Sequence, residues 1–182
     1  QLPWAKVFEK SLEHNLLIHP RFIKTLEEKR KILKKTTDSH QIQSLLNIFI
    51  SKKNPIQALH DFNDTRLFSE IFPEFGRVWG QVQFDIYHHY TTDEHLLLTL
   101  HNLSELRQKS FYNEIYSRLN YREALHLALL FHDIGKKGHK SHSVYGKELT
   151  NKILKRLPVS KEIKELTPVS YTHLRAHETI PD

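Results

Sequence analysis

Apolar residues recur three and four positions apart over four early stretches: Trp4 to Leu17, Phe22 to Leu33, Ile42 to Ile50 and Ile56 to Phe72. That spacing gathers them on one face of a helix, and Pro20 and Pro55 mark boundaries between stretches. No segment alternates over the length of a strand, and five glycines are too few for the turns of a sandwich or barrel. The expected fold class is therefore all-α. Phe72 to Gly80, FPEFGRVWG, is punctuated by Pro and Gly and reads as an aromatic connection packed on the surface of the bundle. Thr91-Thr92-Asp93-Glu94 predicts a capping box, with Thr91 accepting from the Glu94 amide and Glu94 reaching back, ahead of Leu96, Leu97, Leu100, Leu103 and Leu106. His95 then falls in the first turn of that helix. Two more helices are predicted, from about Arg122 to Asp133 and from about Ser143 to Leu157, the second with Tyr145, Leu149, Ile153 and Leu157 in one stripe before Pro158.

Composition narrows the chemistry. The 182 residues carry a net charge of +6, and much of the excess lies in LEEKRKILKK, Leu26 to Lys35. There acids and bases share one helix whose Leu26, Ile32 and Leu33 are expected to point inward, and no aromatics are interleaved for base stacking, so no nucleic-acid partner is predicted. No apolar run reaches the ~18 residues needed to span a bilayer, and the first residues form no secretory signal; a cytoplasmic protein with no membrane partner is expected. The chain has no cysteine, so any metal must be held by His, Asp or Glu. It has no methionine either, and the expectation is a piece of a longer protein.

The richest stretch is LALLFHDIGKKGHKSHSVYG, Leu127 to Gly146, where a core-like apolar run ends in His132-Asp133 and a basic loop. Adjacent helical residues point about 100° apart, so both can reach one ion only at the helix's polar edge, with a third ligand from elsewhere. His95, at the mouth of a neighbouring helix, is the natural candidate. The plainer alternative is that His132 caps the helix C-terminus and Asp133 the next turn. An imidazole and carboxylate set suits Mn, Fe, Zn or, with more waters, Mg. Of the other histidines, His126 is expected to be a satisfied core residue, and His89 to face water. His139 and Lys140 enrich a basic loop that leads into a helix N-terminus and could cradle phosphate.

FHDIGK followed by a His-Ser pair resembles the HD superfamily of metal-dependent phosphohydrolases, an all-helical bundle fold. Phe72 to Leu100 is similar to a segment of the bifunctional bacterial PII uridylyltransferase/uridylyl-removing enzymes, matching at Asp85, Tyr87, His88, Tyr90, Thr91, Asp93, Glu94 and His95. The resemblance covers about Asn54 to Leu157. It implies that His95, His132 and Asp133 ligate a divalent metal, Mn or Mg first and Fe or Zn next, with no other cofactor. It further implies that Lys136 and His142 contact phosphoryl oxygens as catalytic residues. His88 would either line the site or be held structurally by Tyr87 and Tyr90. The implied reaction is hydrolysis of a UMP-tyrosine phosphodiester on the PII signalling protein, releasing UMP, in a parent chain that also carries uridylyltransferase activity. Thr92 and Ser141 depart from the family pattern, outside the ligand set.

The implied organisation is a helical segment over 1–53 leading from a nucleotidyltransferase domain, and a phosphohydrolase domain over 54–167. Val169 to Thr179 reads as translated sequencing adapter, so 168–182 is expected to be a non-native, loosely held tail whose His173 and His177 are irrelevant to the site. A fourth family ligand, an aspartate further downstream, would then be missing and the fragment itself inactive. Two alternatives remain: another HD phosphohydrolase acting on a nucleotide or alarmone, and a helical regulatory module without activity.

Overall fold

The computed structural model describes all residues except 1–3, 52, 83–89, 137–141 and 179–182, and no side chains at 142–143 and 170–178. The described residues form helices and no strand: α1 Trp4–His14, α2 Pro20–Thr36, α3 Ser39–Phe49, α4 Ile56–Asp64, α5 Leu67–Ile71, α6 Pro73–Gly76, α7 Thr92–Leu106, α8 Ser110–Ser117, α9 Arg122–Phe131, α10 His142–Arg156 and α11 Lys161–Glu178. The all-α expectation is met. None of these helices is long and apolar enough to cross a membrane.

Local chemistry sets several boundaries. Pro20 opens α2, where its missing amide costs nothing, and the His19 Nδ1 accepts the Arg21 amide. Asp38 caps α3 by accepting the Gln41 amide at 2.9 Å. The single helix expected over Ile56 to Phe72 is broken in two. Thr65 turns its hydroxyl onto the Phe62 carbonyl and accepts the Leu67 amide, and Arg66 adopts φ 55°, a left-handed conformation that ends α4.

The break serves packing. It lets α5 and α6 turn their aromatic rings into the core rather than along a surface. Phe68 meets Phe49, Phe62, Phe72 and Phe75, with centroid separations of 5.5, 5.5, 5.4 and 4.1 Å. Phe62 in turn stacks on Trp4 at 5.6 Å and takes the edge of Phe8. Phe72, Phe75 and Val78 are thus core residues, which corrects the surface connection expected there; of its aromatic rings only that of Trp79, 37% exposed, keeps that character, with the Arg66 guanidinium 4.3 Å from its ring centroid. In α2, Leu26 is buried and Leu33 partly so, but Ile32 faces solvent, because the helix offers the core one stripe of residues and Ile32 is a third of a turn off it.

Helices α7 and α9 pack side by side, and α11 covers α9. The stretch 168–182 was expected to be a loosely held tail, yet α11 runs on to Glu178. Pro168 withholds an amide from the Lys164 carbonyl, but Thr167 returns its hydroxyl to the Ile163 carbonyl at 2.7 Å, and both Thr167 and Pro168 are buried. His173 and His177 lie outside the described side chains.

His126 is the satisfied core histidine expected. Its Nδ1–H donates to the Phe49 carbonyl at 2.7 Å and its Nε2 accepts from the Tyr116 hydroxyl at 2.8 Å, joining α3, α8 and α9. Burial pushes its pKa down to about 4, with Arg107 acting the same way and the Phe49 carbonyl and Glu123 against it. The unfolded imidazole titrates near ~6.5, so the unfolded chain binds more protons between the two values. Stability from this neutral ring is therefore complete above about pH 6.5 and falls as pH drops toward 4, by at most ~1.4 kcal/mol per unit. His126→Phe should flatten the pH dependence of the urea midpoint across that window; a slope identical to wild type would contradict the assignment.

Candidate metal centre

α9 carries apolar residues on nearly every side because it is buried between α7 and α11, and it ends at Phe131. His132 to Gly135 form a tight turn, with the Ile134 amide on the Phe131 carbonyl and the Lys136 amide on the Asp133 carbonyl. That turn leaves His132 and Asp133 at 2% and 0% exposure, with their polar atoms directed at the start of α7.

His95 approaches from the first turn of α7. Its Nε2 lies 3.2 Å from the His132 Nε2 and 3.6 Å from the Asp133 Oδ2, and the His132 Nε2 lies 3.5 Å from the same oxygen. With donor–metal distances of about 2.1 Å, two ligands on a tetrahedral ion stand roughly 3.4 Å apart, and neighbours on an octahedral ion roughly 3.0 Å. The triangle fits one small divalent cation. These three residues form the one potential metal-holding group of three or more His, Asp or Glu among the described residues.

The surroundings fix the chemistry of the donors. The His132 Nδ1–H donates to the Leu129 carbonyl at 2.7 Å, which leaves the Nε2 lone pair facing the triangle. The Thr99 hydroxyl of α7 donates to the Leu96 carbonyl at 2.7 Å and lies 3.3 Å from the Leu129 oxygen, so the two ligand-bearing helices meet at that backbone oxygen. The capping alternative for His132 is thus compatible with ligation: Nδ1 serves the helix end and Nε2 the triangle. The Lys136 ammonium is 2.5 Å from the Asp133 Oδ2, offsetting the charge of a carboxylate withdrawn from water.

The start of α7 differs from the capping box expected. Thr91 is the N-cap through its backbone, without a side-chain hydrogen bond. Glu94 pairs instead with the His60 Nδ1 at 3.3 Å, and the neighbouring Asp93 turns inward to accept the Gly80 amide at 2.9 Å and the Asn63 Nδ2 at 3.0 Å. Asp93 belongs to the quoted signature, but nothing in the sequence marks Asn63 as its partner. His142 begins α10, its side chain outside the described set. Asp85, Tyr87, His88, His89, His139, Lys140 and Ser141 also lie outside the described residues.

No family model matches the chain. It is similar to curated proteins named bifunctional uridylyltransferase/uridylyl-removing enzyme: 29% identical to that of Ruegeria pomeroyi over 88% of the chain, 31% to that of Rhodospirillum rubrum over 90%, and 30% to that of Zymomonas mobilis over 82%. The aligned part amounts to 17 to 19% of those relatives, so the chain spans less than a fifth of their length.

Proposed function

We propose that this chain carries the uridylyl-removing centre of a bifunctional uridylyltransferase/uridylyl-removing enzyme, an HD-type metal-dependent phosphodiester hydrolase. The observation that carries the reading is the triangle of His95, His132 and Asp133, with donor atoms 3.2 to 3.6 Å apart, in a chain similar to enzymes of that name. The phosphohydrolase domain is assigned to 54–167, with 1–53 leading from a nucleotidyltransferase domain of the longer protein, and 168–182 to a non-native tail.

A divalent ion at this centre, Mn or Mg first and Fe or Zn next, would supply Lewis acidity toward a phosphoryl oxygen and acidify a water. His95, His132 and Asp133 would hold it, and the Leu129 carbonyl keeps the His132 lone pair on the side of the triangle. Lys136 rests its ammonium beside Asp133 and is assigned, with His142, to offset the charge that develops on the phosphoryl oxygens. The bond cleaved is between phosphorus and the tyrosine oxygen of uridylylated PII; water supplies hydroxide to phosphorus and a proton to the leaving phenolate, giving UMP and free tyrosine.

The test is substrate choice in the full-length protein. It should release UMP from uridylylated PII in preference to free nucleotides or alarmones, and only with divalent metal present. An enzyme that hydrolysed guanosine tetraphosphate and ignored modified PII would overturn the substrate assignment.

A further inference from the structure

We propose that Asp93 is a positioning residue of the metal centre: through Asn63 and the Gly80 amide, its buried carboxylate fixes the first turn of α7 and with it the imidazole of His95. This rests on the reading of His95, His132 and Asp133 as one ligand set.

The three ligands are not held alike. His132 and Asp133 are buried in the turn that closes α9, whereas the His95 side chain is 30% exposed. His95 also stands in the first helical turn, where helices fray most readily. A ligand so placed needs its turn anchored, and Asp93, two residues earlier, supplies the anchor.

Asp93 is 3% exposed, and it accepts from two neutral donors on two different segments: the Asn63 Nδ2 of α4 at Oδ2, and the Gly80 amide at Oδ1. A second tie runs beside it, the Thr92 amide donating to the Gln81 carbonyl at 2.9 Å. Burying a carboxylate among neutral donors is expensive, and the positive end of α7 offsets part of that cost. An apolar residue at this position would leave the Asn63 amide and the Gly80 N–H without this acceptor, so the carboxylate joins two segments that nothing apolar could join in the same way. Asn63 is itself 4% exposed, and its Oδ1 makes no hydrogen bond, so its side-chain hydrogen bonding is directed to Asp93. It follows Phe62, whose ring is stacked on Trp4, and the rigidity of the aromatic core thereby reaches the start of α7. Groups that orient metal ligands from outside the coordination sphere typically contribute about 10- to 100-fold to metal affinity.

The experiment titrates Mn2+ and Zn2+ separately into the full-length protein by calorimetry. Asp93→Ala should weaken binding by about 10- to 100-fold while helicity stays near wild type. Asp93→Asn keeps an acceptor for the Gly80 amide and should recover most of the affinity; a loss equal to that of the alanine variant would show that charge acts rather than the hydrogen bonds, and would overturn the clamp. Leu154→Ala, in the core of α10, should lower the melting temperature without moving the dissociation constant, which separates positioning from general destabilisation. Should Asp93→Ala fail to fold, Asn63→Ala removes one arm of the clamp and should weaken binding in the same direction. Unaltered affinity in the Asp93→Ala and Asn63→Ala variants would overturn the clamp alone. A wild-type protein that bound neither ion would overturn the ligand set and the clamp together.

Discussion

His132→Ala in the full-length protein should abolish metal-dependent release of UMP from uridylylated PII, by roughly a thousandfold or more, and lower metal occupancy with it. A catalytic metal contributes several kcal/mol of transition-state stabilisation, and ~4 kcal/mol is about a thousandfold in rate. The variant also loses the bond from Nδ1 to the Leu129 carbonyl, but a single hydrogen bond is worth only ~0.5–1.5 kcal/mol of stability, so helicity should stay near wild type. His95→Ala and Asp133→Ala should behave in the same way. Because Asp133 also compensates Lys136, its alanine variant leaves a lysine that is largely buried without that carboxylate, and should be the least stable of the three. Unchanged hydrolysis in His132→Ala would sink the assignment of the centre.

The second large effect is on stability. Phe68→Ala should cost about 3–5 kcal/mol of unfolding free energy, a large part of the ~5–15 kcal/mol typical of a folded domain. Phe68 is fully enclosed by Phe49, Phe62, Phe72 and Phe75, which come from three different helices and the α5–α6 junction, so the cavity left by its ring cannot be filled by one local shift. Phe68→Leu conserves more of the volume and should cost less than the alanine change, though it loses the four ring contacts. Urea unfolding followed by far-UV circular dichroism measures both; an alanine variant within 1 kcal/mol of wild type, by about the measure of an exposed substitution, would contradict the packing described.

These two predictions divide along the line between what could be read from the sequence and what could not. Helical periodicity located α1, α2, α3, α7 and α10 to within a few residues, because each buries one continuous stripe, and α9 showed as a core run because it is apolar on nearly every side. It missed the break at Thr65 and Arg66, where a side-chain hydroxyl and a left-handed residue interrupt an otherwise unbroken apolar pattern. It also missed α8, whose Phe111, Tyr112 and Ile115 stay exposed and which buries little beyond Tyr116. Pro and Gly in FPEFGRVWG suggested a surface connection, yet the rings of Phe72 and Phe75 were claimed by the core around Phe68. The expectation of a loosely held tail from Pro168 rested on its lack of apolar periodicity, and α11 nevertheless continues to Glu178.

At the site, the convergence of His95 on His132 and Asp133 was legible because one residue opens a capped helix and the other two close a buried one. What surrounds them was not. The signature contains Asp93 and Glu94 side by side, and only packing decides that Glu94 turns out to His60 while Asp93 turns in to Asn63 and Gly80. The Leu129 carbonyl, which sets the His132 lone pair, is a backbone atom that no side-chain pattern can signal.

The central claim, that one ion is shared by three side chains, is tested most directly by anomalous diffraction at the manganese and zinc edges from crystals grown with each metal. The account predicts a single anomalous peak in the triangle, about 2.0–2.2 Å from the His95 Nε2, the His132 Nε2 and the Asp133 Oδ2. A triangle without a peak at saturating metal, or a peak bound by other residues while these three remain in contact with one another, would contradict it.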